Sequence, residues 1–286
     1  MTDTPLNPIS AATCVIRATD ARPGRSLSVA PGLTASRNLH YGRIRLDPAD
    51  SQVRVNPGGL ETGLVSLKGE ARVSVAGTDY TMRPYDALYV PRETPFIVAP
   101  GAAGCDLAEI AAPVDETYPL RFVAFADVER DPGLSFQSGG PTSRRRLNIL
   151  LGKNVEAGRI VVGVTFSEPG HWTSWPPHEH ADLLEEAYLY VGMPAPSFGV
   201  QLVYTNPAEP ELATIVHEGD VVLMPKGYHP NVAAPGCSIG FIWMMAANRE
   251  GVDRLFGVVN VQPEFAGAGS GLEKGRADAP TDKAGR

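Results

Sequence analysis

The sequence predicts an all-β chain made of two tandem antiparallel β-barrels of the jelly-roll kind. Three observations carry that expectation. From Leu39 onward the text breaks into short alternating runs, YGRIRLDP, GLVSLKGEARVSVAGTDYTM, DALYVPRETPFIVAP and CDLAEIAAPV, punctuated by Gly and Pro, as in a sandwich or barrel of many short strands. The run Tyr85-Asp86-Ala87-Leu88-Tyr89-Val90-Pro91 returns as Gly219-Asp220-Val221-Val222-Leu223-Met224-Pro225, and an echo over well over one hundred residues indicates duplicated domains rather than a solenoid. At 286 residues the chain is also long enough for two domains with a large core.

Residues 1–35, rich in Pro, Ser, Thr and Gly, read as an arm with one or two short strands. Residues 36–112 read as the first barrel. There Val65, Leu67, Ala71, Val73 and Val75 alternate with Ser66, Lys68, Arg72 and Ser74, and the breaks Lys68-Gly69-Glu70 and Ala76-Gly77-Thr78 read as hairpin turns. A linker over 113–145 contains a Gly-Gly-Pro break, and residues 146–265 form the second barrel. Within it, REGVDRLFGVVNVQPEF after Asn248 suggests a short helix and a closing strand. The tail over 266–286 has almost no large apolar side chains and is expected to be disordered.

Composition narrows the function. With 43% hydrophobic and 20% charged residues the chain reads as a soluble globular protein, and a net charge of -7 argues against nucleic acid as a partner. A local basic pocket for an acidic sugar stays open, and Arg144, Arg145 and Arg146 could form one, although three consecutive arginines more often make a solvated face. Cys14, Cys105 and Cys237 are far apart and odd in number, which fits a reducing cytoplasm rather than a disulfide scaffold. No secretory leader and no membrane-spanning run is visible, so a cytoplasmic protein without a membrane partner is expected. An exposed sheet edge makes a homo-oligomer plausible.

Five of the six histidines fall between His171 and His229. In WPPHEHADLLEEAYLYVG, Pro176 and Pro177 impose an extended entry, and residues two apart on a strand face one side, so His178 and His180 converge. Glu186, Tyr188 and Tyr190 share a face in the following run, which favours Glu186 over Glu185 as a further ligand. GDVVLMPKGYHPNV supplies His229. Three imidazoles and a carboxylate suit a borderline divalent cation, Zn first with Mn or Fe as alternatives, and do not suit Ca or Mg. The first half lacks these residues: Thr94 or Pro95 stands where His229 should be, and no His-x-His precedes Glu61, so one metal per chain is expected.

At these residues the chain resembles the cupin superfamily, whose two motifs are matched by His178, His180, Glu185 or Glu186 and Gly192, then by Gly219, Pro225, Gly227 and His229. It departs from them by an extra residue or two before Glu186 and by one fewer between Gly227 and His229. WPPHEH, LEEAYLY, FGVQLVYTN and GDVVLMPKGYHPNVAAPG together resemble the 5-deoxy-glucuronate isomerase family of myo-inositol catabolism, relatives of the 4-deoxy-5-threo-hexosulose-uronate ketol-isomerases. The similarity is strongest from about Thr142 to Ala246.

The resemblance implies a bicupin fold and an aldose–ketose isomerisation of 5-deoxy-D-glucuronate to 5-dehydro-2-deoxy-D-gluconate. For such a reaction an open metal position polarises a carbonyl and its neighbouring hydroxyl while a base moves a proton between the two carbons. Tyr188, Tyr190 and Tyr204 are candidates to line the cavity, although Tyr204 reads equally as a barrel-wall residue, and Lys226 or an arginine to pair with the uronate carboxylate, although a lysine in a Pro-Lys-Gly turn is more often exposed. His171 is a candidate supporting donor, and His40 and His217 read as surface residues. Two rival functions stay open, an Fe-dependent cupin dioxygenase and a non-catalytic sugar-binding cupin.

Overall fold

A computed structural model of the chain describes residues 8–276. In chain order the elements are α1 (Ala11–Cys14), β1 (Val15–Ile16), β2 (Gly24–Val29), β3 (His40–Leu46), β4 (Val53–Val55), β5 (Leu60–Val75), β6 (Thr78–Met82), β7 (Ala87–Val90), β8 (Phe96–Pro113), β9 (Arg121–Val123) and α2 (Phe125–Arg130). They continue as β10 (Ser135–Ser138), β11 (Arg145–Leu151), β12 (Ile160–Ser167), β13 (Trp172–Thr173), β14 (His178–Glu179), β15 (Leu184–Val191), β16 (Gly199–Val203), β17 (Leu212–Val216), β18 (Val221–Met224), β19 (Asn231–Ala233), β20 (Gly240–Ala247) and β21 (Asn260–Val261). The protein is nearly all β, and the strand pairings within its sheets are antiparallel, as expected from the sequence.

Two strand sets follow the same path. The N-terminal set runs β9-β7-β5-β8-β3-β2, and the C-terminal set runs β1-β18-β15-β20-β12-β11-β10. A second layer repeats the likeness, with β4, β8, β5 and β6 on one side and β13, β19, β16 and β17 on the other. In the N-terminal set the layers are joined because β5 and β8 are long enough to run through both. Register ties the sets residue by residue: Thr62 lies opposite Val90 and Glu186 opposite Met224, each partner standing just before the Pro that ends its strand.

Strands from the arm and from the linker edge the two sets. β1 completes the edge of the C-terminal set by pairing with β18, where the Arg17 guanidinium and the Ala18 amide both donate to Asp220. β9 occupies the matching edge beside β7, where the Phe125 amide donates to Asp86. The arm expected over 1–35 therefore has its two strands, one in each set. The stretch read as a linker over 113–145 contributes β9 to one set and β10 to the other.

Other local expectations need correction. Lys68-Gly69-Glu70 is not a hairpin, because β5 continues through it with irregular register between Ser66 and Lys68 and again between Gly69 and Ala71. Such irregularities let one strand bend from sheet to sheet. Ala76-Gly77 is the true two-residue turn, with φ of 49° and 78°, the double positive φ that suits the twist of a hairpin. No helix forms in the REGVDR stretch, which turns back so that the Asp253 carboxylate accepts from the backbone and guanidinium of Arg249. From 266 to 276 the expected disorder is replaced by 3-10 turns that bury Leu272, whose one apolar side chain suffices to dock the segment. The rest of that expected tail lies outside the described residues.

Buried side chains of both sets, among them Tyr41, Val65 and Tyr89 with Ile160, Val162 and Leu189, form one continuous apolar cluster. A second cluster, including Ile44, Leu64, Val73, Val90, Phe96 and Leu107, fills the N-terminal set alone. Two carboxylates pin the sets together. Glu61 of β5 accepts from the backbone N–H groups of Gly158, Arg159 and Ile160 and from the Tyr89 hydroxyl. Glu185 of β15 reciprocates, accepting from the N–H groups of Arg37, Asn38 and Leu39. Backbone donors without a strand partner are thereby satisfied at buried and half-buried positions.

Candidate metal centre

Three separate segments deliver the site. β14 pairs with β21, His178 opposite Val261, and His180 follows immediately in a turn whose Leu184 N–H donates to the His180 carbonyl. Glu186 sits in β15 between β18 and β20, where its backbone is paired on both flanks. His229 precedes β19, after a turn at Gly227 with φ of 92°. An added Cβ at Gly227 would stand 2.8 Å from the Tyr204 carbonyl oxygen, so this turn requires glycine.

The ligand atoms of His180, Glu186 and His229 all lie within 4.8 Å of one another, and all three residues are buried. Glu186 Oε2 is 3.1 Å from His180 Nε2 and 3.1 Å from His229 Nε2. The His178 ring centroid is 5.1 Å from that of His229, beside this trio but outside its shared reach. Each imidazole is oriented by its other nitrogen, with Nδ1 against a backbone carbonyl: Pro176 at 2.8 Å for His178, Leu184 at 3.0 Å for His180 and Gly227 at 2.9 Å for His229. A carbonyl only accepts, so each Nδ1 carries the proton and, in the neutral ring, each Nε2 presents a lone pair.

Lone pairs of two imidazoles therefore face a carboxylate oxygen in a buried space, and His229 Nε2 has no hydrogen-bond partner. Such a set of acceptors is stable only with a proton or a cation among them, and the anchored Nδ1 groups are the arrangement that supports metal-ligating histidines. The donor set fits a divalent transition metal. Burial pushes the Glu186 carboxyl up, but the neighbouring His180 and His229 outweigh it and hold the pKa down to about 2. Burial, reinforced by His229, lowers His178 to about 3, leaving it neutral. For His180 burial is outweighed by Glu186, and its pKa is raised.

The other candidates scatter. Tyr188 lines a cavity with His178 and Glu186, its hydroxyl 2.7 Å from Ser174 Oγ, and burial raises its pKa well above the ordinary tyrosine value. Tyr204 points elsewhere, donating to Gln262 Oε1 at 2.7 Å. Lys226 is exposed in a separate outer cleft with Arg37, Asp182 and Tyr228. Neither lines the cavity, because Gly227 turns the chain between Lys226 and His229 and the Tyr204 hydroxyl is tied to Gln262. Glu185 faces away from the histidines, as strand alternation requires, and binds the 37–39 backbone. His171 accepts from the Arg144 N–H, away from the cluster. His217 is exposed, while His40 is partly buried with a pKa lowered by burial.

The cavity measures about 30 Å³ and is walled by Arg145, Ser174, His178, Glu186, Tyr188 and Trp243, with Phe256 and Leu272 among its apolar lining. The sequence singles out Arg145 only together with Arg144 and Arg146, as a basic pocket or a solvated face, and does not point to the capping Leu272. Parity carries a signal for the first: Arg145 shares its face of β11 with buried Leu147 and Ile149, while Arg144 and Arg146 are exposed.

Residues 17–257 match the KduI/IolB family. The chain is 33% identical over 204 residues to a 5-deoxy-glucuronate isomerase of Geobacillus kaustophilus, covering 65% of this chain and 71% of that one. It is 32% identical over 213 residues to a 4-deoxy-L-threo-5-hexosulose-uronate ketol-isomerase of Kineococcus radiotolerans, covering 69% and 71%. Among solved structures, an IolB-like protein of Salmonella typhimurium superposes with a TM-score of 0.79 at 22% identity, covering 90% of this chain and 99% of that one. A Bacillus subtilis oxalate decarboxylase superposes with a TM-score of 0.61 at 13% identity, covering 87% and 80%. These two likenesses concern the fold, which is cupin-like.

Proposed function

The chain belongs to the KduI/IolB family, and on that premise we propose that it is a metal-dependent aldose–ketose isomerase of deoxy-uronate sugars, converting 5-deoxy-D-glucuronate to 5-dehydro-2-deoxy-D-gluconate. The observation that carries the reading is the buried convergence of His180, Glu186 and His229, each imidazole oriented through Nδ1, beside the Tyr188 hydroxyl. These three residues would hold the ion, with Zn first and Mn or Fe as alternatives, and His178, beside the trio, would complete the set once its ring is drawn toward the ion. A divalent ion so held supplies Lewis acidity toward a carbonyl and its adjacent hydroxyl.

The chain's own groups supply the rest. Tyr188 keeps its proton at neutral pH and can donate a hydrogen bond to a sugar oxygen, its position fixed by Ser174. Glu186, held as a carboxylate, balances cationic charge at the centre. Trp243, Met245 and Phe241 wall the cavity with apolar surface and keep water from a carbanion-like transition state. Of the earlier catalytic candidates the proposal keeps Tyr188 and gives Tyr204 and Lys226 no contact with the substrate.

We read the two strand sets as duplicated barrels, a bicupin, with the metal in the C-terminal one alone. The protein is proposed to work in the cytoplasm, in keeping with its three free cysteines, and as a homo-oligomer joined through the β2 edge, where Leu27 and Leu33 are exposed. No helix among the described residues is long and apolar enough to cross a membrane.

The test is an anaerobic NMR assay of the metal-loaded protein with 5-deoxy-D-glucuronate. Conversion to the ketose without oxygen uptake supports the isomerase. Product formation that requires Fe and dioxygen would instead indicate an oxygenase, and an unaltered sugar after prolonged incubation a binding protein.

A further inference from the structure

Two buried hydrogen-bond donors on the wall of the cavity have no partner, Nη2 of Arg145 and Nε1 of Trp243. Arg145 is 2% exposed, and its one hydrogen bond runs from Nη1 to the Ser143 carbonyl at 3.0 Å. Among the described residues no carboxylate forms an ion pair with it. Burial pulls its pKa down to about 10, which still leaves it charged at neutral pH. Glu273 lends the guanidinium coulombic support but no hydrogen bond. A guanidinium buried without a contacting anion is costly, and a cationic fork in the same cavity wall as an indole N–H offers donors to a group with two oxygens.

The surroundings keep that cation from solvent. The Ser138 hydroxyl donates to the Gly271 carbonyl at 2.6 Å, bringing the 3-10 segment over the guanidinium, where a Cβ added at Gly271 would stand 3.1 Å from Nη2. Leu272 of the same segment lines the cavity. His178, Glu186 and Tyr188 line the same cavity, so a ligand filling it would meet both the metal-type donors and the cation.

We propose that Arg145 is the specificity-determining residue that receives the substrate's carboxylate, with the Trp243 indole N–H as a second donor. The assignment rests on the uronate reading and deepens it, by giving the acid end of the sugar a defined seat in the cavity that Glu186 and Tyr188 also line. The 270–272 segment must yield for a six-carbon acid to enter, since the cavity measures only about 30 Å³.

Calorimetry on the metal-loaded protein with D-glucuronate and with D-glucose tests this independently of turnover. The wild type is expected to prefer the acid. Arg145→Gln should weaken D-glucuronate binding about 30-fold or more, as expected for a buried charge pair, while D-glucose affinity, metal content and melting temperature stay unchanged. Arg145→Lys should recover part of the loss, and Trp243→Phe, which keeps an aromatic ring but removes the indole N–H, should lose less than about tenfold. An Arg145→Gln protein that keeps the wild-type preference overturns the proposal, as does one that loses both sugars together with the metal, or a wild type that binds neither sugar. If binding discriminates as stated but the wild type leaves 5-deoxy-D-glucuronate unchanged, the isomerase reading fails and the carboxylate seat stands.

Discussion

Glu61 and Glu185 hold the same register position in the two strand sets and do the same work, each gripping three consecutive backbone N–H groups of the other set. Their next neighbours differ. Thr62 stands where Glu186 stands, Leu64 where Tyr188 does, and around them the N-terminal set is packed with Ile44, Val73, Phe96 and Leu107. The C-terminal set instead encloses three imidazoles, a carboxylate and a tyrosine hydroxyl. One frame thus supports two interiors. The residues that join the sets recur in both, whereas the polar groups that need a cation for balance occur in one.

That contrast can be broken deliberately. The largest effect is expected at the centre: His180→Ala should remove bound metal and lower turnover at least about 100-fold, since even residues that support metal ligands cost 10–100-fold when changed. Isomerase assay with metal analysis checks it, and full turnover by the metal-free variant would refute the ligand role. Glu61→Ala should cost about 3–5 kcal/mol of folding stability, because three buried N–H groups lose their acceptor, yet metal per folded chain should be unchanged. Denaturant titration measures the first and metal analysis the second.

A pH comparison sharpens the same distinction. In the metal-free protein the His180 pKa is raised above 6.5 by Glu186, so its contribution to stability is complete below pH 6.5 and is lost as pH rises through the raised value. Glu186, depressed to about 2, contributes above its ordinary 4.5 and loses that only as pH falls toward 2. Metal requires neutral imidazoles, so the metal-loaded protein should show affinity that rises with pH. Melting curves at pH 6 and pH 9, with and without metal, should therefore slope in opposite directions. The smallest effect belongs to Tyr204→Phe, which removes one hydrogen bond worth about 1 kcal/mol and should leave turnover within about threefold. A loss of activity as large as that of His180→Ala would return Tyr204 to the reaction.

How much of this was legible follows from which signals are local. Period-two alternation placed His178 and His180 on one face and chose Glu186 over Glu185, and the structure brings His180, Glu186 and His229 together. Alternation alone does not reveal how far a strand continues. Lys68-Gly69-Glu70 looks like a turn but is an irregular stretch of β5, because the pairing that carries the strand through comes from β8. Arg145 was hidden by its two exposed neighbours; the Pro-Lys-Gly turn already favoured an exposed Lys226, whereas nothing local shows that Gln262 ties the Tyr204 hydroxyl. The docking of Leu272 depends on a cavity assembled from distant strands, which composition cannot show.

The most direct measurement is metal per chain, by plasma mass spectrometry after refolding or expression in the presence of Zn, Mn or Fe. The account predicts one equivalent in the wild type and in Glu61→Ala, and none in Glu186→Ala or His229→Ala. A wild type that binds no ion under any of these conditions, or a His229→Ala protein that keeps its full equivalent, would contradict it.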